Sequence, residues 1–92
     1  MTPRRAARVD ANQPAIVAAL RAAYCSVVHL HAVGRGCPDI AVGYQGRTYF
    51  MEIKTDKGKL TAPEREFMDE WRGHYAIVRT PEEALKAIGA IE

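Results

Sequence analysis

Two apolar runs separated by Gln45-Gly46 dominate the middle of this chain, and charged residues mark their outer ends. Residues 36–54 read Gly-Cys-Pro-Asp-Ile-Ala-Val-Gly-Tyr-Gln-Gly-Arg-Thr-Tyr-Phe-Met-Glu-Ile-Lys. Such a pattern is a hairpin signal. Side chains alternate along a strand, so Glu52 and Lys54 share a face, their Cα atoms roughly 6.5–7 Å apart. Folding the hairpin brings Asp39, at the start of the first run, back towards them. Two carboxylates and an ammonium then meet at one edge of a small sheet.

The rest of the chain surrounds that hairpin with helices. Ile16, Val17, Leu20, Ala23 and Tyr24 recur at helical spacing, which predicts a helix over residues 11–24. Asp10 and Gln13 have the spacing of a capping box, and Pro14 is tolerable in a first turn. Residues 26–32 read as a strand, Gly34-Arg35-Gly36 as a loop, and residues 39–44 and 47–54 as the hairpin. After a polar loop over residues 55–59, Thr61 caps a second helix, with Pro63 in its first turn and Glu64 at the capping-box position. Phe67, Met68 and Trp71 give that helix a buried stripe. Residues 74–79 form a short strand, and Thr80-Pro81-Glu82-Glu83 opens a last helix that turns Leu85 and Ile88 inward. The order α-β-β-β-α-β-α predicts an α/β fold: a mixed four-stranded sheet with flanking helices, its last strand made parallel by a helical crossover.

At 92 residues the chain is one small domain, residues 10–92, preceded by a basic and flexible tail over residues 1–9. A core this small gains from dimerisation. The hydrophobic share of 48% and charged share of 26% are those of a folded globular protein. The net charge of +2 permits nucleic-acid binding without arguing for it. Its distribution says more, since Arg4, Arg5 and Arg8 cluster at the start and Lys57 and Lys59 follow Lys54. Arg35, between two glycines, is placed to grip a phosphate. Cys25 and Cys37 have neither zinc-site nor redox-motif spacing and read as ordinary thiols. No signal peptide or apolar run near 18 residues stands out, an expectation of a cytoplasmic protein.

Mg²⁺ prefers oxygen ligands and takes only one or two carboxylates from a protein, which Asp39 and Glu52 satisfy. The backbone carbonyl of Ile53 offers a third oxygen. A metal-bound water becomes a usable nucleophile, and Lys54 is suited to orient it and to stabilise charge developing on a phosphate. Taken alone, a Glu-x-Lys pair on a strand is an ordinary solvent-facing ion pair. Its meeting with Pro38-Asp39 across a short hairpin is more specific.

These residues, together with Gly58-x-Leu60-Thr61-x-x-Glu64-x-x-Phe67, resemble the VRR-NUC family of the PD-(D/E)XK nuclease superfamily over residues 10–88. The resemblance implies a restriction-endonuclease-like fold and Mg²⁺- or Mn²⁺-dependent cleavage of DNA, branched DNA included. It implies a homodimer and a phage or prophage origin, within a bacterial host cell. Asp39, Glu52 and the Ile53 carbonyl would hold the metal, and Asp39, Glu52 and Lys54 would be catalytic. Arg4, Arg5, Arg8, Arg35, Lys57 and Lys59 are the expected DNA contacts.

The sequence departs from the family pattern at two accessory positions. Glu64 stands where the family commonly has glutamine; it either joins the metal shell or completes the Thr61 cap, and the cap is the better reading. Gln13 stands where an acid is common, with Asp10 one turn earlier and better suited to an N-cap. His29 and His31, at i and i+2, share a strand face but lack a third ligand for zinc. Phe67 and Trp71 read as core, and His74 as structural. The competing readings are a catalytically weak DNA-binding module on the same fold and a phage interaction protein whose acids merely pair with Lys54.

Overall fold

A computed structural model describes residues 10–92. The expected basic tail, with Arg4, Arg5 and Arg8, lies outside the described residues. The elements run α1 (Gln13–Ala22), β1 (Ser26–His29), β2 (Ile40–Tyr44), β3 (Arg47–Ile53), α2 (Ala62–Glu70), β4 (His74–Val78) and α3 (Pro81–Ala87). The strands form one sheet in the order β1-β2-β3-β4. The first two pairings are antiparallel and β3–β4 is parallel, so the mixed four-stranded α/β architecture stands as expected.

The hairpin turn follows from its residues. Gln45 and Gly46 have φ of 50° and 81°, both left-handed, which matches the twist of tightly turned antiparallel strands. Register then sorts the side chains by face. Ile40, Val42, Tyr49, Met51, Ile53 and Val78 point to one side and pack on Ile16, Val17 and Leu20 of α1 and Ala84 and Ile88 of α3. Phe50, Glu52 and Tyr75 alternate with them and face α2.

Several boundaries differ from expectation, each for a local reason. The helix expected over residues 11–24 begins at Gln13, and its N-cap is Asn12 rather than Asp10. The Asp10–Gln13 capping box does not form: Asp10 uses its backbone carbonyl to accept the Gln13 N–H, and the Gln13 side chain turns to His29. The Asn12 amide instead ties two strand ends, donating to the carbonyls of Lys54 at 3.0 Å and Arg79 at 2.9 Å. At the other end Tyr24 takes φ 68°, the Cys25 N–H returns to the Leu20 carbonyl and the Tyr24 N–H to that of Arg21. This is a Schellman closure with tyrosine at the position glycine normally fills.

The first strand stops at His29 rather than residue 32, because a turn closes between Leu30 and Val33. His31 therefore lies in that turn and not on the strand. Asp39 and Lys54 sit one residue outside β2 and β3 respectively. The capping box of Thr61 and Glu64 forms as expected. The expected burial of α2 does not: no residue of that helix is buried, Phe67 and Met68 are half-covered, and Trp71 is 42% exposed. The aromatic residues make a separate cluster instead, Trp71 standing 4.6 Å from Phe50 and 5.7 Å from Phe67 between ring centres. Among the described residues, no helix is long and apolar enough to cross a membrane.

Candidate active site

The site is built at the sheet end where β2 begins and β3 finishes. Pro38 is buried and fixes the entry of the chain into β2. The Leu30 N–H donates to the Asp39 carbonyl at 2.8 Å, continuing the β1–β2 ladder by one step. The Asp39 carboxylate accepts the Ile53 N–H at 2.7 Å. In extended backbone the N–H and C=O of one residue point to the same side, so the Ile53 carbonyl is directed towards Asp39 as well. The Ile53 side chain points the other way, into the core.

Glu52 is the next residue in register with Asp39 and is 2% exposed. One of its oxygens, Oε1, is buried with no partner, and the other lies 3.5 Å from Lys54 Nζ. Lys54 reaches further, to Glu64 Oε1 at 2.7 Å. That same oxygen accepts the Thr61 N–H at 2.9 Å, so Glu64 caps α2 and holds Lys54 at once. The cap expected of Glu64 is made, and the same carboxylate also reaches Lys54.

Burial controls the electrostatics. It pushes the Glu52 carboxyl up to about 9, with the charges of Asp39 and Glu64 adding and Lys54 opposing. Burial also raises Asp39, against the Ile53 N–H, and the charge of Asp10 contributes to the rise. Glu64 is desolvated too, yet the Lys54 and Thr61 hydrogen bonds hold it below the ordinary carboxylate range. Lys54 is likewise desolvated, but its acidic partners keep it above its usual value. Burial, then Glu52 and Asp39, raise the Cys37 thiol, and burial followed by all three acids raises the Tyr75 hydroxyl. Cys37 and Tyr75 are therefore neighbours of the acids that sequence spacing did not identify; the alternation of β4 was the available signal for Tyr75.

Among the described residues, no group of three or more His, Cys, Asp or Glu side chains is clustered as a metal site. Mg²⁺ does not require one, since it keeps several waters. The donor set fits a hard cation: two carboxylates, one oriented by the Ile53 N–H and the other with an orphaned buried oxygen.

The accessory residues divide. Asp10 is half-buried near enough to act on Asp39, but it is not the N-cap. Gln13 is buried and its hydrogen bond goes to His29 rather than to any of the acids. Arg35, Lys57 and Lys59 are exposed. Lys59 joins Lys54, Arg65 and Arg79 around a cleft of ≈ 340 Å³. Arg65 and Arg79 come from α2 and from just past β4, and no local spacing in the sequence announces their meeting. Arg79 is anchored there by a 2.9 Å bond to the Gly58 carbonyl.

Compared with family models, curated proteins and solved structures, the chain matches none.

Proposed function

We propose that this chain is a metal-dependent deoxyribonuclease with a restriction-endonuclease-like core, of the VRR-NUC type its motifs resemble. One observation carries the reading: buried Glu52, with an unpartnered oxygen, stands beside an Asp39 oriented by the Ile53 N–H, with Lys54 Nζ 3.5 Å away. Asp39 and Glu52 would hold Mg²⁺ or Mn²⁺, aided by the Ile53 carbonyl. The bound ion supplies water activation and charge neutralisation at the phosphodiester. The Ile53 N–H keeps Asp39 aimed, and Glu64 keeps Lys54 extended over the site. Lys54 donates to the phosphate oxygen on which charge develops. The cleft of Lys59, Arg65 and Arg79 gives the flanking backbone positive partners. DNA as substrate, branched forms included, a homodimeric assembly and a phage or prophage setting follow from the resemblance.

The test is cleavage of a DNA panel (four-way junction, flap, nick, linear duplex) with Mg²⁺ or Mn²⁺. Wild type should cut at least one member, and Asp39→Ala, Glu52→Ala and Lys54→Ala should not. Undiminished cutting by the first two variants would sink the assignment.

A second reading has its own observation: Lys54 is closer to Glu64 than to Glu52, which ties up the residue catalysis needs. A DNA-binding module of this kind would bind DNA with strong salt dependence and show no metal-dependent turnover.

A further inference from the structure

On the opposite face of the sheet from the acids, α1 and β1 border an open groove of ≈ 460 Å³. That is the size of a small-molecule pocket. One wall is apolar, formed by Pro14, Val17 and Ala18 along α1. The polar lining is Arg21, His29, His31 and Gln13, and no acid contributes to it among the described residues.

Two features point to a ligand. Gln13 is 2% exposed and spends its amide nitrogen on His29 Nδ1 at 3.2 Å, leaving Oε1 buried without a partner. His31 Nδ1 is also buried and unpartnered. Buried polar atoms are nearly always satisfied, so two orphans on one pocket need an explanation. The permanent charge of Arg21 and the absence of acids select an anion, while Gln13 Oε1, which only accepts, calls for an N–H or O–H donor on the ligand's body. The apolar wall selects a flat or hydrocarbon body attached to it.

One backbone bond links the pocket's strand to the acid-bearing strand across the sheet. Leu30, between the two histidines, donates its N–H to the Asp39 carbonyl at 2.8 Å. We propose that this pocket holds one nucleotide, its phosphate at Arg21 and the histidines and its base and sugar against Pro14, Val17 and Ala18. The proposal rests on the nuclease reading only in taking DNA as one source of that nucleotide. A free mononucleotide is the other.

Calorimetry in EDTA tests it without involving cleavage. The probes are deoxyadenosine monophosphate, deoxyadenosine, inorganic phosphate and an unphosphorylated hexathymidylate. The monophosphate should bind, with the nucleoside and phosphate each roughly tenfold weaker or worse, because both halves of the pocket are needed. Arg21 is exposed, so Arg21→Gln should keep the fold and weaken the monophosphate about tenfold. His31→Gln should also weaken it, and Asp39→Asn should leave it unchanged. Competition by the hexathymidylate identifies a strand as the source; failure to compete identifies the free nucleotide. Binding no tighter than phosphate alone, or wild-type affinity in both Arg21→Gln and His31→Gln, would overturn the site. Retained nucleotide binding without DNA cleavage removes only the nuclease reading, and cleavage without nucleotide binding removes only the pocket.

Discussion

Lys54 Nζ lies 2.7 Å from Glu64 Oε1 and 3.5 Å from Glu52 Oε2, so the lysine is held more tightly by the helix than by its own strand. Both contacts are largely shielded, the Lys54 and Glu64 side chains being 13% and 19% exposed. Because Glu64 also completes the α2 cap, one carboxylate couples the start of the helix to the position of Lys54.

Glu64→Ala should therefore remove the cap acceptor and the Lys54 partner together, costing about 1 kcal/mol through the cap. Glu64→Gln keeps a cap acceptor and should retain most of that stability. Urea denaturation of the two variants checks the ordering; equal losses would show that the cap contributes nothing.

In EDTA, stability should fall as pH rises. Glu52 is raised from its ordinary 4.5 to about 9 and Asp39 is raised as well, so the folded state keeps protons that the unfolded chain has released. That contribution is complete below the unfolded values and is lost progressively up to about pH 9. Glu64, lowered in the folded state, acts oppositely: its contribution is present above its unfolded value and is lost at acid pH. Melting temperature measured from about pH 5 to about pH 9 should decline, and Glu52→Gln should flatten the curve. Added Mg²⁺ should stabilise wild type increasingly towards high pH, because the ion competes with those protons. A flat wild-type profile would contradict the burial argument.

Asp39→Ala leaves the Ile53 N–H without its carboxylate, whereas Asp39→Asn leaves an acceptor oxygen in reach. A hydrogen bond to a charged group is worth about 1.5–3 kcal/mol, so the alanine variant should lose roughly that much and the asparagine variant less. Chemical denaturation measures the difference. Both variants should lose the thermal shift that Mg²⁺ produces in wild type.

Gly36 and Gly34 share a φ of +78°, but their surroundings differ. A Cβ on Gly36 would come within 2.2 Å of the Pro63 carbonyl oxygen, where the loop meets the first turn of α2. One on Gly34 would meet nothing within 4 Å. Gly34→Ala should cost about 1–2 kcal/mol, the left-handed penalty alone. Gly36→Ala should cost clearly more, because backbone must move. Equal melting temperatures would rule out the close loop–helix approach.

Tyr24→Gly should stabilise the protein by about 0.5–1 kcal/mol. Tyr24 is 94% exposed and left-handed at φ 68°, so its side chain offers little packing to set against the backbone penalty. A lower melting temperature for this variant would overturn the backbone-penalty argument.

Much of the fold was legible because its determinants are local. Alternation along residues 47–54 placed Glu52 and Lys54 on one face, and the Gln45-Gly46 turn brought Asp39 to them. The Thr61–Glu64 spacing announced its cap. Local pattern misled where a side chain had a distant competitor. Asp10 and Gln13 looked like a capping box, but Gln13 is taken by His29 and the N-cap is Asn12, whose amide ties the ends of β3 and β4. Trp71 falls on the apolar stripe of α2, yet among the described residues no layer covers that helix and the ring remains partly exposed.

From residue order alone come the succession of helices and strands, the hairpin, and the convergence of Asp39, Glu52 and Lys54, since turn geometry and strand period act over a few residues. Long-range packing set the depth of Glu52, the Ile53 hydrogen bond to Asp39, the choice of Glu64 as the tighter lysine partner, and the pocket between α1 and β1. Desolvation and register depend on surfaces far apart in the chain. No local spacing carries the burial that pushes the Glu52 carboxyl up to about 9.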